Sequence, residues 1–222
     1  MKKFIIRNLK FVTKKINCTL SFAVCVAFFC FLLQEKSSAK TDFVTTYKTD
    51  LEQVESYLNS ITNFAAKFTQ KSANGAVEGK FYLSRPGKMR VEYTNEPKIL
   101  IVVNGAVLSY KDIELDEVSN LSTNTTPASF LTRPNISFSA KDVEITNVVK
   151  NNETITISLI KKNRTEAGEF TLIFKTQPAL GFAKMQVTND LGDITSISLH
   201  DITFPENLND NLFIIRNKNL PF

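Results

Sequence analysis

Gly79-Lys-Phe-Tyr-Leu-Ser-Arg-Pro-Gly-Lys-Met-Arg-Val-Glu-Tyr93 decides how the rest of the chain is read. Side chains along a strand alternate between two faces, so Phe81, Leu83 and Arg85 share one face and Lys80, Tyr82 and Ser84 the other. Pro86-Gly87 reverses the chain, and a second strand follows with Met89, Val91 and Tyr93 on one face and Arg90 and Glu92 opposite. The hairpin therefore has an apolar face and a wet face, with one cation at the end of the apolar one. A guanidinium in that place needs partners or water, which singles out Arg85.

Ahead of the hairpin, Val44, Tyr47, Leu51, Val54, Leu58 and Ile61 are spaced 3, 4, 3, 4, 3, one apolar stripe on a helix of about 20 residues. Its bland reading is a helix packed on a sheet. From Phe64 the period changes to two: Phe64, Ala66 and Phe68 share a face, and Asn74-Gly75 marks a turn. Ile99–Val103 and Val107–Tyr110 read as strands around an Asn104-Gly105 turn, and Lys111–Val118 continues the alternation. The carboxylates of Asp112, Glu114, Asp116 and Glu117 read as the solvated face of a strand edge rather than as an acid–base or metal cluster. Ser119–Thr126 reads as a polar loop. Thr126-Pro127 opens a short helix, with Thr as cap and Pro in the first position, and Ala128, Phe130 and Leu131 form its apolar side. Val143–Val149, Thr154–Lys161, Glu169–Lys175, Phe182–Thr188, Ile194–His200 and Leu212–Ile215 then read as strands of one antiparallel meander.

The N-terminus carries Lys2, Lys3, Arg7, Lys10, Lys14 and Lys15, then an apolar run over Cys18–Leu33, then Ser37-Ser38-Ala39. That order is the pattern of a cleaved secretory signal peptide over residues 1–39, leaving 40–222 as a single domain. No convincing lipoprotein cleavage box precedes Cys25 or Cys30. Residues 1–39 hold seven of the 27 basic and one of the 22 acidic residues, so the remainder has 20 basic against 21 acidic, a net −1. The overall +5 is thus a property of the leading segment, and bulk charge gives no support for nucleic-acid binding. All three cysteines lie in the apolar run, so the exported domain folds in an oxidising compartment without a disulfide.

One histidine, His200, and no cysteine after Cys30 leave no thiol site and no common zinc set. No nucleophile elbow, P-loop or dinucleotide fingerprint occurs. The expectation is a protein that is not an enzyme, with no cofactor and no metal.

Assembled, the chain is mainly β: a strongly curved antiparallel sheet of about ten strands forming an incomplete, half-open β-barrel. An N-terminal amphipathic helix and a short helical lid stand over an apolar cavity, a shape that holds apolar ligands. The chain resembles the periplasmic lipoprotein carrier (LolA) family. The resemblance runs through Tyr57–Ile61 into Phe64–Lys71, through Gly79–Tyr93 with Arg85-Pro86-Gly87-Lys88, through Asn104-Gly105 and Tyr110, Thr126-Pro127, and Asn207–Phe213. It implies a periplasmic, monomeric carrier that binds the acyl chains of lipoproteins. Its partners would be acylated lipoproteins, an inner-membrane lipoprotein-releasing ABC transporter and an outer-membrane lipoprotein receptor, with no nucleic acid among them.

By the same resemblance, Arg85 is the arginine that holds the lid closed, against the alternative of a strand-end Arg reaching for water. Phe130 and Leu131 are lid residues, against plain packing of a short helix. Met89 lies near the mouth where cargo is handed over, against an ordinary core position. Phe64, Phe68, Phe81, Leu83, Val91 and Tyr93 are expected to line the acyl-chain cavity. The chain departs from the family pattern at Met89 and Val91, where the family often carries an aromatic and a Trp. The competing readings are a periplasmic lipid- or lipoprotein-sensing regulatory module on the same fold and an adhesion β-domain with a solid core.

Overall fold

A computed structural model of the chain describes residues 42–162 and 168–215. The expected signal segment and its cysteines lie outside these residues. Eleven strands form one antiparallel sheet. Six make a first meander: β1 (Asn63–Ser72), β2 (Gly75–Ser84), β3 (Lys88–Tyr93), β4 (Ile99–Asn104), β5 (Val107–Asp112) and β6 (Glu117–Ser122). Five make a second: β7 (Val143–Lys150), β8 (Thr154–Lys161), β9 (Glu169–Lys175), β10 (Gly181–Thr188) and β11 (Ile194–Thr203). The sheet order is β6-β5-β4-β3-β2-β1-β11-β10-β9-β8-β7, so β1 and β11 join the halves and β6 and β7 stand at the two edges, unpaired with each other. The meander expected from Val143 onward is β7–β11, and the chain reaches it by leaving one edge of the sheet at β6 and re-entering at the other. Register slips between Ala65 and Lys67, Ile145 and Asn147, and Phe182 and Lys184 mark bulges, which bend strands and increase the twist that curls the sheet.

The central hairpin pairs as its alternation requires. Gly79 faces Tyr93, Phe81 faces Val91 and Leu83 faces Met89, which puts the apolar side chains of both strands on one face. Gly79 also stands beside Phe68 in the register of β1 and β2. A Cβ at Gly79 would lie 2.3 Å from the Glu92 carbonyl oxygen and 2.5 Å from the Phe68 ring. Its absence lets Phe68 and Tyr93 meet edge to face at 5.4 Å across the intervening strand.

The stripe ahead of β1 forms two helices rather than one, α1 (Phe43–Thr46) and α2 (Lys48–Ser60), broken at Tyr47 with φ −111° and ψ 26°. Asp42 caps α1 by accepting from the Thr45 amide and hydroxyl, yet α1 buries no residue and Val44 is exposed. Three of its four residues are β-branched, a poor helix composition, offset by the Asp42 cap and the half-buried Phe43 for a single turn. Leu51, Val54 and Leu58 of α2 are buried on the sheet.

Other departures have local causes. Ile113–Asp116 turns instead of extending: the Asp112 carboxylate accepts from the Glu114 and Leu115 amides, both at 3.0 Å, and Asp116 takes φ 52° while pairing with Lys111. The polar stretch after it is the edge strand β6, followed by a 3-10 turn at Thr123–Thr125. The short helix α3 (Ala128–Leu131) begins after Pro127, and the Thr126 hydroxyl donates back to the Thr123 carbonyl instead of capping it. Leu212–Ile215 does not extend the sheet. Asp210–Phe213 is a 3-10 turn, and Phe213 packs with Leu100 and Val102 in a small second core on the outer face. Arg90 Nη1 donates to the Leu212 carbonyl at 2.9 Å and Lys88 pairs with Asp210 at 2.7 Å, so the wet face of the central hairpin is what this C-terminal segment docks on.

Candidate functional site

The inner face of the sheet is the site's wall. Phe64, Phe68 and Phe81 are 1–2% exposed and Leu83 is 7% exposed; they belong to one core with Leu51, Val54 and Leu58 of α2. Phe64 meets Phe81 edge to face at 5.8 Å and lies 6.3 Å from Phe182, which stacks on Phe174 at 5.3 Å. Beneath α2 and α3 the wall is therefore filled by its own aromatics. Of two clefts between α2 and the sheet, one at the C-terminal end of α2 beside Tyr57, Ile61 and Phe204 measures about 420 Å³, and one lined by Val54, Ile155 and Leu180 with Asp50 and Lys150 at its rim about 140 Å³. The one against α3, lined by Phe130, Arg133, Asp142, Leu159 and Phe170, measures about 20 Å³. Val91 and Tyr93 differ from the buried four. With Ile101, Val187, Ile197 and Leu199 they are half-buried against the same core, an apolar strip that the helices leave partly open. Tyr93 reaches across to Gln70, its hydroxyl donating at 2.7 Å, and burial pushes its pKa up.

The segment between β6 and β7 supplies the cover. Ala128, Phe130, Leu131, Ile136 and Phe138 are buried in the main core, and Phe130 stacks on Phe138 at 5.6 Å. Arg133 lies over the Phe130 ring at 5.1 Å and pairs with Asp142 at 3.0 Å. Partial burial alone would raise the Asp142 pKa, but the Arg133 hydrogen bond and charge outweigh it and hold the carboxyl below its ordinary value. Met89 is 6% exposed, paired across the sheet with Leu83 and Val103, so here it is a core side chain.

Arg85 turns inward. Its Nη1 donates to the Leu58 carbonyl at 2.9 Å and its Nη2 to Asn59 Oδ1 at 3.3 Å. It thereby caps the last turn of α2, where free carbonyls and the helix dipole favour a cation. The fit is incomplete: Nε is buried without a hydrogen-bond partner, and burial pushes the pKa below the usual guanidinium value. Among the described residues Arg85 makes no hydrogen bond to α3 itself. The adjoining turn does, since the Gly87 amide donates to the Thr132 carbonyl at 2.7 Å.

Two residues given no role in the sequence reading complete the closure. Asn59 Oδ1 accepts from the Ile136 amide at 2.8 Å and its Nδ2 donates to the Ile136 carbonyl at 2.9 Å. One turn earlier, the Glu55 carboxylate accepts from the Ser137 hydroxyl and the Phe138 amide. Glu55 and Asn59 are four apart, so they form one line on α2 beside the buried Val54 and Leu58. Two polar residues at that spacing along the border of an apolar stripe were the available signal.

The family described as "Outer membrane lipoprotein carrier protein LolA" matches residues 59–216. The chain belongs to that family. Among individual relatives, an outer-membrane lipoprotein carrier protein of Coxiella burnetii is 27% identical over 207 residues, covering 83% of this chain and 88% of its own. An uncharacterised protein of Rickettsia prowazekii is 24% identical over 168 residues, covering 75% and 76%. A crystal structure of a LolA superfamily protein from Nitrosomonas europaea superposes with a TM-score of 0.44 at 11% identity, over 74% of this chain and 97% of that one.

Proposed function

We propose that this protein is a periplasmic carrier of lipoproteins, holding their acyl chains against the inner face of the sheet. In this reading it takes them from an inner-membrane ABC transporter and gives them to an outer-membrane receptor, working as a monomer. The observation that carries the proposal is the make-up of the closure. The face of the β6–β7 segment turned to the wall is apolar, through Phe130, Leu131, Ile136 and Phe138. Its fastening to α2 and to the β2–β3 turn consists of a few polar bonds from Asn59, Glu55 and the Gly87 amide. A cover built in this way covers the surface cargo would cover, and it can be released without unfolding the sheet.

The energetics favour such a device. Burying methylenes is worth about 0.8 kcal/mol each, so a full acyl chain in a permanently open trough is held by roughly ten kcal/mol or more. A cover that must first be displaced subtracts its own packing from that figure and keeps transfer reversible. Arg85 sets part of that cost, Phe130 and Leu131 supply the packing, and the half-buried Val91 and Tyr93 offer cargo its first contact. Phe64, Phe68, Phe81 and Leu83 become cavity wall only once the cover moves, and Met89 reaches the mouth only in that state.

The family relationship supports this reading, since relatives carry the name of lipoprotein carriers. Mass spectrometry of the protein recovered from the periplasm of lipoprotein-producing cells tests it. Acylated lipoprotein should co-purify. Protein that emerges free of lipid from such cells would contradict it.

A further inference from the structure

We propose that Asn59 is the hub of the closure, the positioning residue through which Arg85 acts on the cover; the inference rests on the carrier reading. Arg85 reaches only the end of α2, at Leu58 O and Asn59 Oδ1. The link onward to the β6–β7 segment is the Asn59 amide group, which takes both the N–H and the C=O of Ile136 as a neighbouring strand would. Oδ1 accepts from Arg85 and from Ile136 at once, so each donor depends on the same oxygen staying in place. Rotating the Asn59 side chain breaks three hydrogen bonds together. Ile136 is 1% exposed, so its freed amide and carbonyl are groups that the closed state can leave without partners only at a cost.

The chemistry of the residue fits this task. An amide side chain presents one donor and one acceptor in the geometry of a peptide unit, which a carboxylate or a hydroxyl cannot do. Glu55 holds Ser137 and Phe138 and, among the described residues, makes no hydrogen bond to Arg85, so it strengthens the closure without coupling it to the sheet. Asn59 thereby connects sheet, helix and cover.

The test is a double-mutant cycle on Asn59→Ala and Arg85→Leu, read as equilibrium affinity for a dansylated fatty acid, with thermal unfolding measured in parallel. Residues acting in series give one effect between them. Each single variant should tighten probe binding by about tenfold, the worth of one or two lost hydrogen bonds, and the double variant should be no tighter than either. Independent action multiplies the effects to about a hundredfold in the double variant, which overturns the inference. Asn59→Asp keeps the acceptor for Arg85 and the Ile136 amide but loses the donor to the Ile136 carbonyl. It should fall between wild type and Asn59→Ala, whereas a purely structural Asn59 would lower the melting temperature without this graded gain in affinity. If Arg85→Leu tightens the probe and Asn59→Ala does not, Asn59 is no hub while the carrier reading stands. If neither wild type nor any variant binds the probe, both fall.

Discussion

Arg85 is a half-buried cation with two hydrogen bonds and one buried, orphaned nitrogen, and that balance decides what replacing it does. Removing a partly desolvated charge relieves a cost, and the groups it leaves behind keep other donors: Leu58 O still accepts from the Ile61 amide and Asn59 Oδ1 from Ile136. Arg85→Leu should therefore change unfolding free energy by no more than about 1 kcal/mol, measured by urea denaturation, while weakening closure. A loss of several kcal/mol would show that Arg85 holds the fold rather than the cover. Asp142 behaves differently. Its pKa is depressed in the folded state, so its contribution is fully present above the ordinary carboxylate value and is lost as pH falls through the lowered folded value. With the carboxylate near half exposed and screened by water, the effect is small. Thermal stability should carry an extra acid-side decline below about pH 4 that Asp142→Asn removes. Identical profiles for the two proteins would show the Arg133 pair to be inert.

At the level of elements, the central hairpin depends on an absence. Gly79 has no side chain to hold Phe68 away from Tyr93, and the carbonyl and ring that would meet a Cβ cannot yield easily. Gly79→Ala should lower stability by roughly 1–3 kcal/mol, read as a fall in melting temperature; an unchanged melting temperature would mean the strands shift to make room. On the outer face, Phe213 is 1% exposed against Leu100 and Val102. Phe213→Ala should cost roughly 3 kcal/mol and loosen the segment that Arg90 and Lys88 hold, visible as faster proteolysis near the C-terminus. The elements most legible in the sequence were those with an unambiguous period. The alternation of Gly79–Tyr93 placed both strands and their shared face, and the spacing of Leu51, Val54 and Leu58 placed α2. At Val44 the period was right but the side chain stayed exposed, and the helix broke three residues on, at Tyr47. Where a short-range carboxylate bond competed with alternation, as at Asp112, a turn won. The spacing of Glu55 and Asn59 marked them as a pair, but their role was not legible because the partners of Asn59 are 26 and 77 residues away, a separation no local pattern reports.

For the molecule as a whole, the edge-to-edge passage of the chain matters most. Because the segment after β6 must travel to β7, it lies against the inner face that eleven strands curve around, and its aromatic side chains complete that interior. The result is one sheet whose two halves are joined at β1 and β11 and whose open side is shut by a stretch of its own chain. Hydrogen–deuterium exchange with and without a triacylated lipopeptide tests this directly. The account predicts that bound lipopeptide raises exchange at the Gly87, Ile136 and Phe138 amides and leaves the β8 and β9 amides as they were. Lipopeptide bound with those three amides as protected as before would contradict it.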